Sequence, residues 1–362
     1  MTFKPNGVLP YQDIKELINQ RIIQSSSSIT DGQIQPSSID LRLSSKAWRL
    51  QASFLPGDNY KVTDQLPKFA MHDIDLSKGS IFEKNCVYLV LLQESVSLPK
   101  DISAIANAKS SIGRLDLLTR LITDYGTEFD RIPLGYSGPL FAEVSPRSFS
   151  VLVNKATRLN QIRFRRDKVI VSDEELVKLN EEEGLIGENA IVDGGISFSV
   201  DLEKGEKKPV GYKAKPNAPL IDLKKINFYN IDDFWDPVEV KEGCLILDPG
   251  AFYILMSKET VTVPPKFAAE MAPHLAMVGE FRVHYAGFFD PGFGFSTVGG
   301  AGSRGVLEIR CYESPFALRN NQIIGRLIYE RMAKVPDILY GLRIKSNYQG
   351  QKLKLSKHFK NL

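Results

Sequence analysis

The chain is poor in the residues that most often carry hydrolytic or redox chemistry. It has three cysteines, Cys86, Cys244 and Cys311. An odd number at long spacing builds no disulfide framework and suits a reducing compartment. Four histidines (His72, His274, His284 and His358) form no H-x-E pair, and no C-x-x-C exists, so the usual spacing of zinc ligands is missing. No G-x-S-x-G elbow is present to seat a Ser-His-Asp triad. No apolar run approaches the ~18 residues of a membrane span, and the start, MTFKPNGVLPYQDI, has no apolar signal core. These absences argue for a cytoplasmic chain with no membrane partner. A net charge of +3 is too small to argue for a nucleic-acid partner, although a local basic cluster could still receive a phosphorylated small molecule.

What is present is a repeat. Residues 88–99 read YLVLLQESVSLP and residues 253–264 read YILMSKETVTVP. Tyr88 and Tyr253 stand 165 positions apart, as do Glu94 and Glu259, Pro99 and Pro264, and Glu143 and Glu308. An offset held over that length marks a duplicated domain. At 362 residues, 43% of them hydrophobic, the chain can build two ordinary cores.

Each copy opens on a helical pattern. Ile14, Leu17, Ile18 and Ile22 space residues 11–23 as a helix, and Ser172 with Glu175 makes a capping box for a second over 172–186. Short alternating strands follow, SSIDLRL at 37–43 and ISFSVDL at 196–202. Most of the remainder is short β-rich runs between Gly, Pro, Asn and Asp. Each copy closes on a related run, TRLNQIRF at 157–164 and LRNNQIIGRL at 318–327, where Arg158 matches Arg319 and Gln161 matches Gln322. The fold expected is mainly β: two tandem sandwich or jelly-roll-like barrels, each with a short N-terminal helix. The boundaries expected are 1–168, 169–335 and a tail, 336–362. Segment 203–220 reads as a surface loop. The tail, polar and basic, reads on composition as a frayed terminus or as something more.

The copies differ in the groups that carry chemistry. Copy one has AKSSIGR at 108–114. Lys109, Ser110, Ser111 and Arg114 can form an oxyanion cradle, with helix-start N–H groups adding to the pull. The alternative is a plain N-cap followed by a surface arginine. At the same offset, copy two has His274, Leu275, Ala276 and Gly279. Copy two instead has AGFFDPG at 286–292 and VLEIR at 306–310. Asp290 falls in a tight turn. Glu308 falls on the return strand, with Leu307 and Ile309 on its other face. A carboxylate so placed is a candidate base whose pKa burial can raise, or simply an outward-facing strand residue. Copy one keeps Glu143 but has Pro133 where Asp290 aligns. The glycines of GGAG at 299–302 lack a GK[ST] ending and read as a hairpin turn.

AKSSIGR, AGFFDPGF, VLEI, the terminal NYQGQ at 347–351 and IQPSSIDLRL at 34–43 stand in one order. Together they resemble the dCTP deaminases, relatives of the trimeric dUTPases, and most of all their long tandem-domain form. The resemblance implies dUTPase-like β-domains and zinc-free hydrolysis of dCTP to dUTP and ammonia. The H-x-E and P-C-x-x-C of zinc nucleobase deaminases are indeed missing from the sequence. It implies Mg²⁺ carried on the triphosphate and no metal held by the protein alone. Glu308 matches the general base that activates water for attack on cytosine C4. Asp290 matches the turn Asp that meets the deoxyribose 3′-hydroxyl, and Ala286 the backbone that reads the base. Ser110, Ser111 and Arg114 match the motif that holds phosphate and orders the site. Lys109 stands where the family more often has Arg. Tyr340 and Gln351 match tail residues that close over the nucleotide.

Neither copy carries the whole set, so the expectation is one site whose phosphate groups come from domain 1 and whose base and lid come from domain 2. Glu143 is the secondary candidate. Two other readings stand beside this one. One is a dUTP diphosphatase or a bifunctional enzyme, with Asp290 recast as the base. The other is a nucleotide-binding regulator without turnover. A homo-oligomer is compatible with either.

Overall fold

The computed structural model describes residues 5–186, 190–203, 209–272, 287–296, 302–341 and 353–360, and the backbone of 281–284. The chain divides into two compact units. Unit 1 comprises Met1–Val169 with Pro219–Lys225 and Met332–Asp337, and unit 2 comprises Ile170–Ala218, Ile226–Arg331 and Ile338–Leu362. Both are mainly β and each has a short helix near its start, expected in the first from its apolar spacing and in the second from its capping residues. No described helix is long and apolar enough to cross a membrane.

The helices end where local chemistry stops them. The first runs Tyr11–Asn19 and buries Ile14 and Leu17. It stops short of the expected residue 23 because Arg21 adopts a left-handed φ of 58°, after which Ile23 enters a strand opposite Val96. The second runs Asp173–Glu183. Ser172 caps it by accepting the Glu175 N–H at 3.4 Å, and Gly184 closes it at φ 63°. The other half of the expected capping box is absent, because the Glu175 carboxylate pairs with Arg331 instead.

In unit 1 the long strand Ile39–Leu50 joins the two halves of the largest sheet. Its first half pairs with Arg158–Arg166, which pairs in turn with Ile102–Ala108 and then Arg131–Ile132. Its second half pairs with Val87–Ser97, followed by Ser137–Pro146 and Leu117–Thr123. Unit 2 repeats these pairings in two separate sheets. Ile196–Ser199, Ile323–Arg331, Phe267–Met271 and Phe288–Phe289 make one. Trp235–Pro237, Tyr212–Ala214, Phe252–Val261, Ser303–Cys311 and Phe281–His284 make the other. The strand equivalent to the second half of Ile39–Leu50 is therefore Tyr212–Ala214. It lies within 203–220, a stretch whose polar composition predicts a surface loop. Tyr212 and Ala214 are buried there, so alternation across the pleat outweighs the lysines around them.

The repeat holds at the level of single bonds. The Tyr88 phenol accepts the Glu83 N–H at 2.9 Å, and the Tyr253 phenol accepts the Asp248 N–H at 2.9 Å. Glu94 accepts the Arg42 N–H at 2.7 Å, and Glu259 accepts the Ser199 N–H at 2.8 Å.

Residues 353–360 of the tail are packed, not frayed. Leu353, Leu355, Ser356, His358 and Phe359 are all buried. Phe359 bridges to Tyr229 in parallel, and its ring lies 5.3 Å from Phe234 and 5.9 Å from Trp235. Basic composition hides three apolar anchors at positions 353, 355 and 359, and these supply the burial that offsets ordering the segment.

Candidate active site

In unit 1, the strand Ile102–Ala108 delivers the chain to Lys109, whose N–H donates to Leu159 O at 2.9 Å. Lys109 then caps a single helical turn, Ser110–Gly113, and its carbonyl accepts Ile112 N–H at 2.7 Å and Gly113 N–H at 3.0 Å. The capping position therefore belongs to Lys109, with no side-chain cap, and Ser110 and Ser111 are the first two helical residues. Four residues align too few peptide dipoles for a strong macrodipole, so any pull on an anion here comes mainly from side chains. Arg114 is 3% exposed, which removes the reading of a surface arginine. Lys109 Nζ pairs with Asp40, a buried carboxylate that Arg158 also approaches at 3.5 Å. Beyond the turn, Asp116 sits at φ 53° and accepts the Ser148 hydroxyl at 2.6 Å. The motif is thus a short, rigid turn fastened at both ends. Asp40 and Ser148 are supports that motif spacing alone did not single out, though Asp40 lies in the SSIDLRL run.

In unit 2, the turn after Phe288–Phe289 holds Asp290, which is buried. Gly292 takes φ 97°, and a Cβ there would lie 3.0 Å from both Tyr340 N and Leu339 Cβ. Glycine is therefore required twice, by conformation and by close approach. Tyr340 N–H donates to Pro291 O at 2.9 Å, and its ring packs 5.6 Å from Phe293, which lies 5.1 Å from Phe289. The structure thus brings the predicted turn residue Asp290 and the predicted lid residue Tyr340 onto one turn. Glu308 lies on Ser303–Cys311, opposite Ile254 and His284 in register. It is 5% exposed, while Leu307 and Ile309 point into the core of the unit. Ala286 and Gln351 lie outside the described residues, as do His274, Leu275, Ala276 and Gly279.

Glu143, the copy-one match of Glu308, has a different setting. It is 2% exposed and stands opposite Leu89 and Arg120. Arg120 donates to its Oε1 through Nη2 at 2.6 Å and Nε at 3.2 Å. The same guanidinium lies 3.5 Å from the Phe129 ring centroid and donates to Ser53 Oγ at 3.1 Å. Next to this pair, burial pushes the Asp130 carboxyl up to about 7, against the Leu121 N–H that it accepts at 2.7 Å. Sequence reasoning missed Arg120 and Phe129. The available signal was the alignment of Phe129 with Ala286, a large ring where copy two has a methyl.

The anion-type set, Lys109, Ser110, Ser111 and Arg114, thus belongs to unit 1, and Asp290, Glu308 and Tyr340 belong to unit 2. Among the described residues, no cluster of three or more His, Cys, Asp or Glu could hold a metal ion. Repeated strand order and paired carboxylate positions define a duplicated β-fold of the dUTPase-like class. The family model for the 2'-deoxycytidine 5'-triphosphate deaminase N-terminal domain matches residues 5–168, and that for the C-terminal domain matches residues 172–359. The crystal structure of 2'-deoxycytidine 5'-triphosphate deaminase from Agrobacterium tumefaciens is similar throughout. It shows 49% identity and a TM-score of 0.87, over 91% of this chain and 99% of that one. A "dCTP deaminase, dUMP-forming" of Methanosphaera stadtmanae is 29% identical over 140 residues, 38% of this chain and 68% of the relative. A "dCTP deaminase" of Haemophilus ducreyi is 30% identical over 138 residues, 36% of this chain and 68% of the relative. The chain belongs to the 2'-deoxycytidine 5'-triphosphate deaminase family.

Proposed function

We propose that the protein hydrolyses dCTP to dUTP and ammonia, with Glu308 as the proton-transferring carboxylate. The observation that carries the reading is where Glu308 stands. It is buried on the face of its strand away from the core of its unit, in the unit that also holds the buried Asp290 turn, whereas Glu143 stands beside a closed apolar cluster. In the reaction, Glu308 takes a proton from water, whose oxygen adds to C4 of the cytosine ring. Glu308 delivers that proton to N3, so that the ring accepts the electron pair as the C4–O bond forms. The carboxylate then takes the proton of the new C4 hydroxyl and passes it to the amino nitrogen, which leaves as ammonia while C4 becomes a carbonyl. Asp290 accepts from the deoxyribose 3′-hydroxyl and Ala286 reads the base through its backbone. Ser110 and Arg114 order the water and Glu308, while Lys109 and Ser111 meet phosphate oxygens. Charge-assisted donors suit the triphosphate, which brings its own Mg²⁺. Tyr340 and Gln351 close over the nucleotide and exclude water.

The reading thus needs groups carried by both units. Ammonia release from dCTP tests this directly: Glu308→Gln and Ser110→Ala each abolish it, and Glu143→Gln has a mild effect. The reverse pattern would move the site to Glu143. A second reading, deamination coupled to pyrophosphate release, is favoured by the dUMP-forming name of the Methanosphaera stadtmanae relative. There Asp290 would activate a second water for attack on phosphorus. Measuring ammonia and pyrophosphate together from dCTP, and pyrophosphate from dUTP, separates the two.

A further inference from the structure

Unit 1 retains a carboxylate where unit 2 has its proposed base, yet the space in front of it is built differently. Cross-strand register makes the units comparable. Glu143 faces Leu89 and Arg120, and Glu308 faces Ile254 and His284. Ile132 pairs with Ala104, as Phe289 pairs with Ala269. Counting back three residues from Ile132 and Phe289 reaches Phe129 in unit 1 and Ala286 in unit 2. A benzyl group therefore replaces a methyl at the position assigned to reading the base.

The face that Glu143 shares is also a core. Phe141 lies two residues along the same strand, and Leu89 and Ile122 lie on neighbouring strands. All three are buried in one cluster with Leu50, Phe54 and Val62, against which Leu66, Phe69 and Phe129 pack. Phe54 and the helix Val62–Phe69 come from the segment 51–69, which connects two strands that pair with each other. It folds back over the sheet of its own unit.

We infer that the base pocket of unit 1 is filled from within, and that Arg120 occupies the place of a nucleobase. The guanidinium is a planar array of N–H donors. It directs two of them at a buried carboxylate and lies over an aromatic ring. A cytosine protonated at N3 offers the same chemistry, an amidinium edge with N–H groups at N3 and N4. On this inference unit 1 binds no nucleoside, Glu143 serves as the counter-ion of Arg120, and each chain offers one base pocket. The analogy rests on the proposed reading of unit 2.

The test uses the full chain. Calorimetric titration of Glu308→Gln with Mg-dCTP gives one nucleotide per chain, and two per chain overturns the inference. Arg120→Ala uncovers a buried carboxylate and lowers Tm by about 4–8 °C. Millimolar guanidinium, which refits the vacated space, restores about half of that loss but restores nothing in Arg120→Ala/Glu143→Gln. Equal response of both variants overturns the inference. If Arg120→Ala does not fold, the paired change Arg120→Met with Glu143→Met replaces the ion pair by apolar groups of similar volume. It folds and keeps turnover within about twofold of the parent. Loss of turnover in that pair, to the level of Glu308→Gln, overturns the inference. Full turnover in Glu308→Gln would instead sink the reading of unit 2, and the guanidinium result would still stand or fall by itself.

Discussion

Glu94 in unit 1 and Glu259 in unit 2 hold the same position and accept the same backbone N–H, yet they are held by different company. Glu94 also accepts Arg42 Nε at 2.8 Å and Gln33 Nε2 at 3.1 Å, which makes a buried ionic knot. Glu259 accepts the Ser199 hydroxyl at 2.6 Å, a neutral partner. In unit 1 the duplicated carboxylates are tied to arginines, Glu94 to Arg42 and Glu143 to Arg120. A carboxylate whose oxygen already accepts from a fixed guanidinium has fewer lone pairs to offer a water. Unit 1 reads as a half whose charges were turned to scaffolding, while its serine turn was kept.

The largest expected effect tests the sharper end of this contrast. Glu308→Gln lowers kcat for ammonia release by about 10³-fold or more, whereas Glu143→Gln changes it by about twofold. Stopped-time ammonia assays at saturating dCTP check both. The next effect compares the structural pair. Glu94→Gln leaves the buried Arg42 without its counter-charge and costs about 3–5 kcal/mol of unfolding free energy. Glu259→Gln weakens a bond to a neutral hydroxyl and costs about 1–2 kcal/mol. Urea unfolding of each variant decides it, and equal losses would end the contrast drawn above. Ser110→Ala, in the serine motif that copy two lacks in sequence, also abolishes ammonia release, with little change in Tm.

The smallest effect is a pH dependence peculiar to unit 1. Burial raises Asp130 to about 7 in the folded chain, above its ordinary range near 4 when unfolded. Below about pH 4 both states hold the proton, so nothing is lost. Between about 4 and 7 the unfolded chain releases it while the folded chain retains it, so stability falls as pH rises and levels off above about 7. Asp130 is only half-buried, so the discounted size is about 1–2 kcal/mol. Asp130→Asn keeps an acceptor for the Leu121 N–H and removes the fall. Thermal unfolding of the two proteins at pH 4.5 and 7.5 should show the variant gaining only at the higher value, a choice bracketing the window of about 4 to 7.

Much of this arrangement can be read from the chain before it folds. The 165-residue offset identifies Tyr88 with Tyr253, and both phenols accept an N–H from five residues earlier. Alternation at Leu307, Glu308 and Ile309 puts the acid on the face away from the core, because strand geometry leaves no other choice. Other features were hidden. The lysines around Tyr212 mask a central strand, and the basic tail masks Phe359. Nothing in the local pattern of residues 11–23 predicts the left-handed Arg21 that ends the helix early. Nothing in the isolated sequence of Arg120 distinguishes a solvated arginine from one lying over Phe129.

Periodicity and offset are properties of neighbours along the chain, and they determined the duplication, the β character and which copy carries the serine turn or the aspartate turn. The partners in each contact are separated by tens of residues, from Arg120 to Glu143 and from Gly292 to Tyr340, and no local signal links them. Only tertiary packing decided those partnerships, because a buried charge takes its meaning from whatever the fold brings within hydrogen-bond reach of it.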